Sequence, residues 1–193
     1  MHHLINPLIL LITLILTLQT FCRDGVWSLS TGWHRLRYFT IQSNILCAAG
    51  ALALWAAPES GWAWGLKYVG TAAVTVTMLT VLLFLGPTSG NFRALLTGRD
   101  LFMHLITPVL ALVSFCGFER RGLDFPGLLT GIIPVAVYGA HYTWRILLAP
   151  PEQAWEDFYG FNRGGHWRIA MGIMFLGTLL ICLALAAVQN MGP

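Results

Sequence analysis

Charge is scarce in this 193-residue chain. Asp, Glu, Lys and Arg together make up 10% of it, against roughly 25% in a soluble domain. So little charge excludes a large solvated surface and leaves almost no room for a soluble domain. The formal net charge of +3 is small and scattered, with no run of like charges, so nothing in it points to a nucleic-acid partner. No internal repeat is evident. The four cysteines, Cys22, Cys47, Cys116 and Cys182, form no CxxC pair. Each lies in or beside an apolar run, which reads as small core residues rather than redox or metal ligands. Met1-His2-His3 sets no Lys or Arg before the first apolar run, and no convincing Ala-x-Ala site follows it. That run is therefore expected to be a retained helix, not a removed signal peptide.

What the chain has in abundance is apolar sequence. It is 56% hydrophobic, with a mean hydropathy of +0.69, which indicates a polytopic membrane protein. A helix crossing a hydrocarbon core about 30 Å thick needs roughly 20 residues. Six runs are expected to meet that length, giving an all-α bundle of six transmembrane helices in one domain over residues 1–193. They cover about 4–22, 38–57, 66–86, 99–118, 125–148 and 167–188. Breakers separate them, such as Pro58-Glu59-Ser60-Gly61, Gly86-Pro87-Thr88-Ser89-Gly90 and Ala149-Pro150-Pro151-Glu152. Trp62, Trp64, Trp144, Trp155 and Trp167 flank the runs as an interfacial belt would. Pro134 is expected to kink the fifth run.

Basic residues divide unevenly between the two sides. Arg23, Arg35, Arg37, Arg93, Arg99, Arg145, Arg163 and Arg168 fall in or beside loops one, three and five. Lys67, Arg120 and Arg121 fall on the other side. The positive-inside rule then places loops one, three and five in the cytoplasm and both termini outside.

Three polar stripes interrupt the apolar runs, all toward the same membrane face. Thr40, Ser43 and Asn44 share one helical face at the start of run two. Asp100, His104 and Thr107 share one at the start of run four. Tyr138, His141, Tyr142 and Arg145 share one near the end of run five. Polar groups on a lipid-facing stripe are costly, so these stripes should face protein, water or a substrate. Ser43 and Asn44 also fit interhelical hydrogen-bonding residues, and Tyr142 with Arg145 fits an interface anchor. An ionisable residue inside a span, as His104 is, points to function.

The residue types suit acyl chemistry. A threonine hydroxyl becomes a nucleophile when a neighbouring base removes its proton. His104 is the natural base for Thr40. Asp100, one turn before His104, would either orient the imidazole or act as a helix-start acid. Asn44, one turn beyond Thr40, is a candidate oxyanion donor, with Ser43, His141 and Tyr142 as further supporting candidates.

Tyr38-Phe39-Thr40-Ile41-Gln42-Ser43-Asn44 and Leu101-Phe102-Met103-His104-Leu105-Ile106-Thr107-Pro108 resemble signatures of small bacterial six-span proteins. These in turn are similar to the androgen-induced and androgen-dependent membrane hydrolases. The resemblance implies hydrolysis of fatty acid esters of hydroxy fatty acids by a membrane-embedded threonine and a histidine, here Thr40 and His104, without cofactor or metal. It implies a lipid or fatty-acyl ester as partner and a bacterial inner membrane location; the charge distribution puts the expected site near the cytoplasmic face. The chain departs from the family in two places. Asp100 and Leu101 stand where the eukaryotic proteins carry a further histidine, and Phe158-Tyr159-Gly160 replaces a Tyr-Pro-Phe triplet.

Two alternatives stay open: an acyltransferase working through the same acyl-threonine, and a small transporter or channel using the intramembrane His, Asp and Arg residues. His104 and His141 offer one histidine pair for haem and no second. A zinc site from His104, His141 and Asp100 lacks any short ligand spacing.

Overall fold

A computed structural model describes residues 2–23, 25–88 and 90–191. Met1, Ser89 of the second breaker and the side chains of His2, His3 and Arg23, which enter the leader and charge readings, lie outside the described residues, as do Asp24, Gly192 and Pro193. The fold is an all-α bundle. Helix α1 (His2–Thr20) leads into a short antiparallel hairpin of β1 (Cys22–Arg23) and β2 (Val26–Trp27). Helix α2 (Leu29–Arg35) follows, capped by Ser28, whose hydroxyl accepts from the Thr31 amide. Then come α3 (Phe39–Ala56), α4 (Gly61–Thr88), α5 (Gly98–Phe118), α6 (Phe125–Thr130), α7 (Ile133–Leu147) and α8 (Trp167–Asn190).

The expected six-span bundle is corrected. Among the described residues four helices are long and apolar enough to cross a membrane: α3, α4, α5 and α8. The apolar stretch of the first run, Leu4–Thr20, falls short. Its 17 residues rise only about 25 Å before the chain turns into the hairpin. The fifth run divides. α6 ends at Thr130, and α7 starts afresh with Pro134 in its first turn, where a missing N–H costs nothing. The proline expected to kink one long helix instead begins a shorter one, whose 15 residues span about 22 Å. An unbroken run of apolar residues is thus not an unbroken helix. The apolar spans remain those of an integral membrane protein.

The Gly86-Pro87 breaker is also corrected, because α4 runs through it to Thr88. The helix tolerates Pro87 by widening into a π turn over Val81–Leu85, with the Gly86 amide bonded to the Val81 carbonyl. α5 does the same before Pro108: Phe102–Ile106 is a π turn, and the Thr107 amide reaches the Phe102 carbonyl. In both, a proline ring that would crowd the carbonyl four residues earlier forces the preceding turn open. The second of these turns carries His104.

α3 and α4 lie backbone to backbone. A Cβ on Gly70 would stand 2.7 Å from the Cys47 Cα, and one on Gly50 would stand 2.7 Å from the Lys67 Cα. Such small-residue contact is a principal route to helix association in lipid. A core of Trp64, Tyr68, Phe115, Leu128 and Leu185 joins α4, α5, α6 and α8. Trp64 is not part of an interfacial belt. It is buried and donates its indole N–H to the Glu119 carbonyl at 2.7 Å.

Candidate functional site

Thr40 sits in the first turn of α3, where helix amides lack intrahelical partners. Tyr38 precedes this turn with extended backbone and makes no side-chain cap. The Phe39 amide instead donates to the Tyr159 hydroxyl at 3.0 Å. Loop five is thereby docked on the start of α3. It is folded around Asp157, which accepts from the Phe161 and Asn162 amides at 2.8 and 2.7 Å and from the Tyr142 hydroxyl at 2.9 Å. Tyr142 also accepts from the Tyr159 amide at 3.1 Å, and Tyr138 donates to the Arg37 carbonyl at 2.8 Å. Burial pushes the Tyr159 phenol up to about 12.

Beneath this polar lid lies a cavity of about 620 Å³. Thr40 and Phe39 line one end together with Tyr138, Tyr142 and Tyr159. The walls are apolar faces of α4 (Val76, Thr80, Val81, Phe84) and α8 (Ala170 through Ala184). The lining of α8 runs from Ala170 to Ala184, about 21 Å of helix axis. Small-molecule pockets have this size and this combination of apolar walls with a few polar groups. Sequence spacing on α7 and α3 placed the Tyr138–Tyr142 and Thr40 stripes at one level, and the loop-five hydrogen bonds join them.

The second stripe adjoins the first through Asn44. Its side-chain amide donates to the Thr40 carbonyl at 2.7 Å and to the Met103 carbonyl at 3.1 Å. Both donors are thus committed to backbone, and none is left for an oxyanion in this state. The Ser43 hydroxyl lies 2.8 Å from the Thr77 hydroxyl and donates to the Thr40 carbonyl at 3.1 Å. These contacts tie α3 to α4.

His104, next to Met103, is buried, and its Nδ1 lies 2.8 Å from the Leu95 carbonyl. A carbonyl only accepts, so Nδ1 carries a proton; in the neutral ring that leaves the lone pair on Nε2, the tautomer a general base needs. Leu95, not Asp100, orients the ring. Asp100 is half-buried in the first turn of α5 beside Arg99, which donates to the Thr20 hydroxyl at 3.0 Å. Among the described residues no hydrogen bond joins His104 to Thr40, and His104 does not line the cavity. Thr107 is fully buried, and among the described residues its hydroxyl finds no hydrogen-bond partner.

His141 stands apart from this group. It is exposed, accepts from the Arg145 Nε at 3.3 Å and packs edge-on against Trp155. Desolvation and, after it, the Arg145 guanidinium lower its pKa. Among the described residues no three His, Cys, Asp or Glu side chains gather as a metal site would require.

A second polar cluster escaped sequence reading. Lys67, the one lysine of the chain, is wholly buried in α4. It donates to the Asn6 side-chain oxygen and lies 3.8 Å from a Glu119 carboxylate oxygen. Asn6 and Ser114 donate to the other carboxylate oxygen at 2.6 and 2.8 Å. The charge rule had counted Lys67 as a marker of topology, whereas it is half of an ion pair inside the bundle. The available signal was that a lysine between apolar residues of a span needs a partner.

No known family model, curated protein or solved structure matches this chain.

Proposed function

We propose that the chain is an intramembrane lipid-ester hydrolase, with Thr40 as nucleophile and His104 as general base, acting on fatty-acyl esters such as fatty acid esters of hydroxy fatty acids. The observation that carries the reading is the place of Thr40 at the polar end of a long apolar cavity. An acyl chain would lie along the α4 and α8 walls with its ester at the Tyr159 end. The resemblance of the Thr40 and His104 segments to the membrane hydrolases agrees with this chemistry, and Arg35, Arg37, Arg93 and Arg99 beside that end favour a cytoplasmic face for it.

In the proposed reaction the Thr40 Oγ attacks the ester carbonyl carbon while His104 Nε2 takes the hydroxyl proton. The tetrahedral intermediate collapses, and the C–O bond to the alcohol breaks. The alcohol leaves with the proton returned by His104. Water then attacks the acyl-threonine, again giving its proton to Nε2, and the fatty acid leaves as the Thr40 hydroxyl is restored. Catalytic hydrogen bonds are often long in a free enzyme and shorten on substrate binding. In this mechanism the opened turn around His104 is the element that closes on Thr40.

The test is covalent labelling of the purified protein by a fluorophosphonate carrying a long alkyl chain. Wild type should be labelled at Thr40, and Thr40→Ala should be unlabelled and inactive. His104→Ala should lose hydrolysis to a similar extent, because members of a catalytic unit are strongly non-additive. Labelling that persists in Thr40→Ala would sink the assignment. Ester products formed when a lipid alcohol is supplied would turn the reading to acyl transfer through the same intermediate.

A further inference from the structure

The large cavity has a side as well as an end. α4 and α8 meet far from Thr40, where Trp64 and Tyr68 of α4 share a core with Cys182 and Leu185 of α8. From Val76 onward on α4, and from Ala184 back to Ala170 on α8, residues of both helices line the cavity instead. The two helices therefore part toward the Thr40 end, as the arms of a V do. α7 closes the back of the gap. Its Val135 and Tyr138 are buried, and its Gly139 lets α8 come close: a Cβ there would stand 3.2 Å from the Met171 sulfur. The polar end is shut by the Tyr159, Tyr142 and Tyr138 hydrogen bonds, which join loop five, α7 and the start of α3.

The front of the gap is different. Four residues line the cavity and are also well exposed: Leu83 (62%) and Phe84 (52%) on α4, and Ile173 (50%) and Leu180 (57%) on α8. A residue sealed inside the bundle meets the first condition only, as Val81 and Val135 do. Ile173 and Leu180 are two helical turns apart, on the flank of the α8 stripe between cavity and surface. Leu83 and Phe84 belong to the turn that widens before Pro87. None of the four side chains carries a hydrogen-bonding group, so this rim faces hydrocarbon without cost. Its depth fits as well. α8 is 24 residues long and begins at Trp167, and Ile173 and Leu180 lie about 9 and 20 Å along its axis of about 36 Å. The rim thus occupies the half of the span on the Thr40 side and reaches the middle, the depth of one leaflet.

We propose that this rim is a lateral portal, through which the acyl chain of a bilayer-resident lipid passes between α4 and α8 into the cavity, leaving its polar end at Thr40. The ligand is thereby narrowed to lipids already partitioned into the leaflet on the Thr40 side. The walls behind the portal are apolar, so they receive a hydrocarbon chain, and the polar groups are confined to the end where a lipid of that leaflet carries its own. The proposal rests on the preceding reading for the chemistry at Thr40, while the seating of a chain in the cavity does not depend on it.

The test is time-resolved photolabelling of the full chain in phosphatidylcholine liposomes. A phosphatidylcholine with a diazirine at the end of one acyl chain is delivered by cyclodextrin, and samples are flash-irradiated at successive delays. Label on Leu11 and Leu14, exposed on α1, reports arrival in the bilayer. Label on Val135 and Gly139, buried on the α7 wall of the cavity, reports entry. Both should appear in wild type. Leu83→Trp with Leu180→Trp sets a large ring on each side of the rim, at positions already more than half exposed. A chain must then force the helices apart, and α7 labelling should slow about tenfold relative to α1 labelling. Leu83→Ala with Leu180→Ala keeps the rim open and should load at least as fast as wild type. Absence of α7 label in wild type, an unchanged rate in the Trp variant, or equal slowing in both variants would overturn the portal. Hydrolysis of a long acyl ester held in the bilayer should slow in step with α7 labelling, and that of para-nitrophenyl acetate, which needs no such opening, should not. Labelling that follows this pattern in a protein without esterase activity supports the portal and refutes the hydrolase reading alone.

Discussion

Gly177 offers a direct way to measure what the large cavity holds. It lies on the cavity wall in α8, and a Cβ built there meets nothing within 4 Å. A side chain at this position therefore enters empty space rather than a packed neighbour. It also replaces a helix-interior glycine, which by itself favours the helix by about 1 kcal/mol for Ala and about half that for Phe. Gly177→Phe should accordingly fold at least as well as wild type while placing a ring across the channel. The obstruction falls seven residues beyond Ala170, the start of the α8 lining, so about 10 Å of channel remains on the Thr40 side. Acyl chains that fit within that length should be hydrolysed as before. Each further methylene is then denied burial worth about 0.8 kcal/mol. Four extra methylenes amount to about 3 kcal/mol, or on the order of 200-fold in kcat/KM. The assay is kcat/KM over a series of saturated acyl esters, with Gly177→Ala as the control for helix stiffening. The two curves should coincide for short chains and separate progressively beyond the block. A uniform drop at every chain length, or parallel curves with no break, would refute the placement of the acyl chain in this cavity.

Two further perturbations probe the frame around the site. Lys67→Met leaves Glu119 as an unpaired buried charge, which costs about 3–5 kcal/mol. The melting temperature in detergent should fall sharply and recover in part in Lys67→Met with Glu119→Gln; a single variant as stable as wild type would contradict the ion pair. The second perturbation is pH. Tyr159 is held at about 12 in the folded protein by burial, above the usual tyrosine value of 10. The unfolded chain loses this proton first, so the stabilising contribution of Tyr159 is complete below pH 10 and is lost as pH rises through about 12. Tyr159→Phe should flatten the decline of stability over that window, and an identical decline in both proteins would remove Tyr159 as its source.

The parts of the site that repeat along one helix were legible in the chain, and the parts assembled from distant residues were not. Thr40, Ser43 and Asn44 recur with helical spacing, so their common face could be read directly. Asn6, Lys67, Ser114 and Glu119 come from three helices and the end of one, separated by up to 113 positions. No local period joins them, and Lys67 alone resembles an interfacial cation. The same distinction explains the spans. Hydropathy averages over side chains and reports that residues 125–148 are apolar. Helix continuity depends on backbone hydrogen bonds, which Pro134 cannot donate and which break between Thr130 and Ile133. Proline was therefore the more informative letter in each case, but its effect depended on position. At the start of α7 it begins a helix, whereas within α4 and α5 it is absorbed by widening the preceding turn. In α5 that widened turn contains His104 and in α4 it forms part of the cavity wall. Pro87 and Pro108 thus act on the site through the backbone, shaping the cavity wall in α4 and the turn that carries His104 in α5.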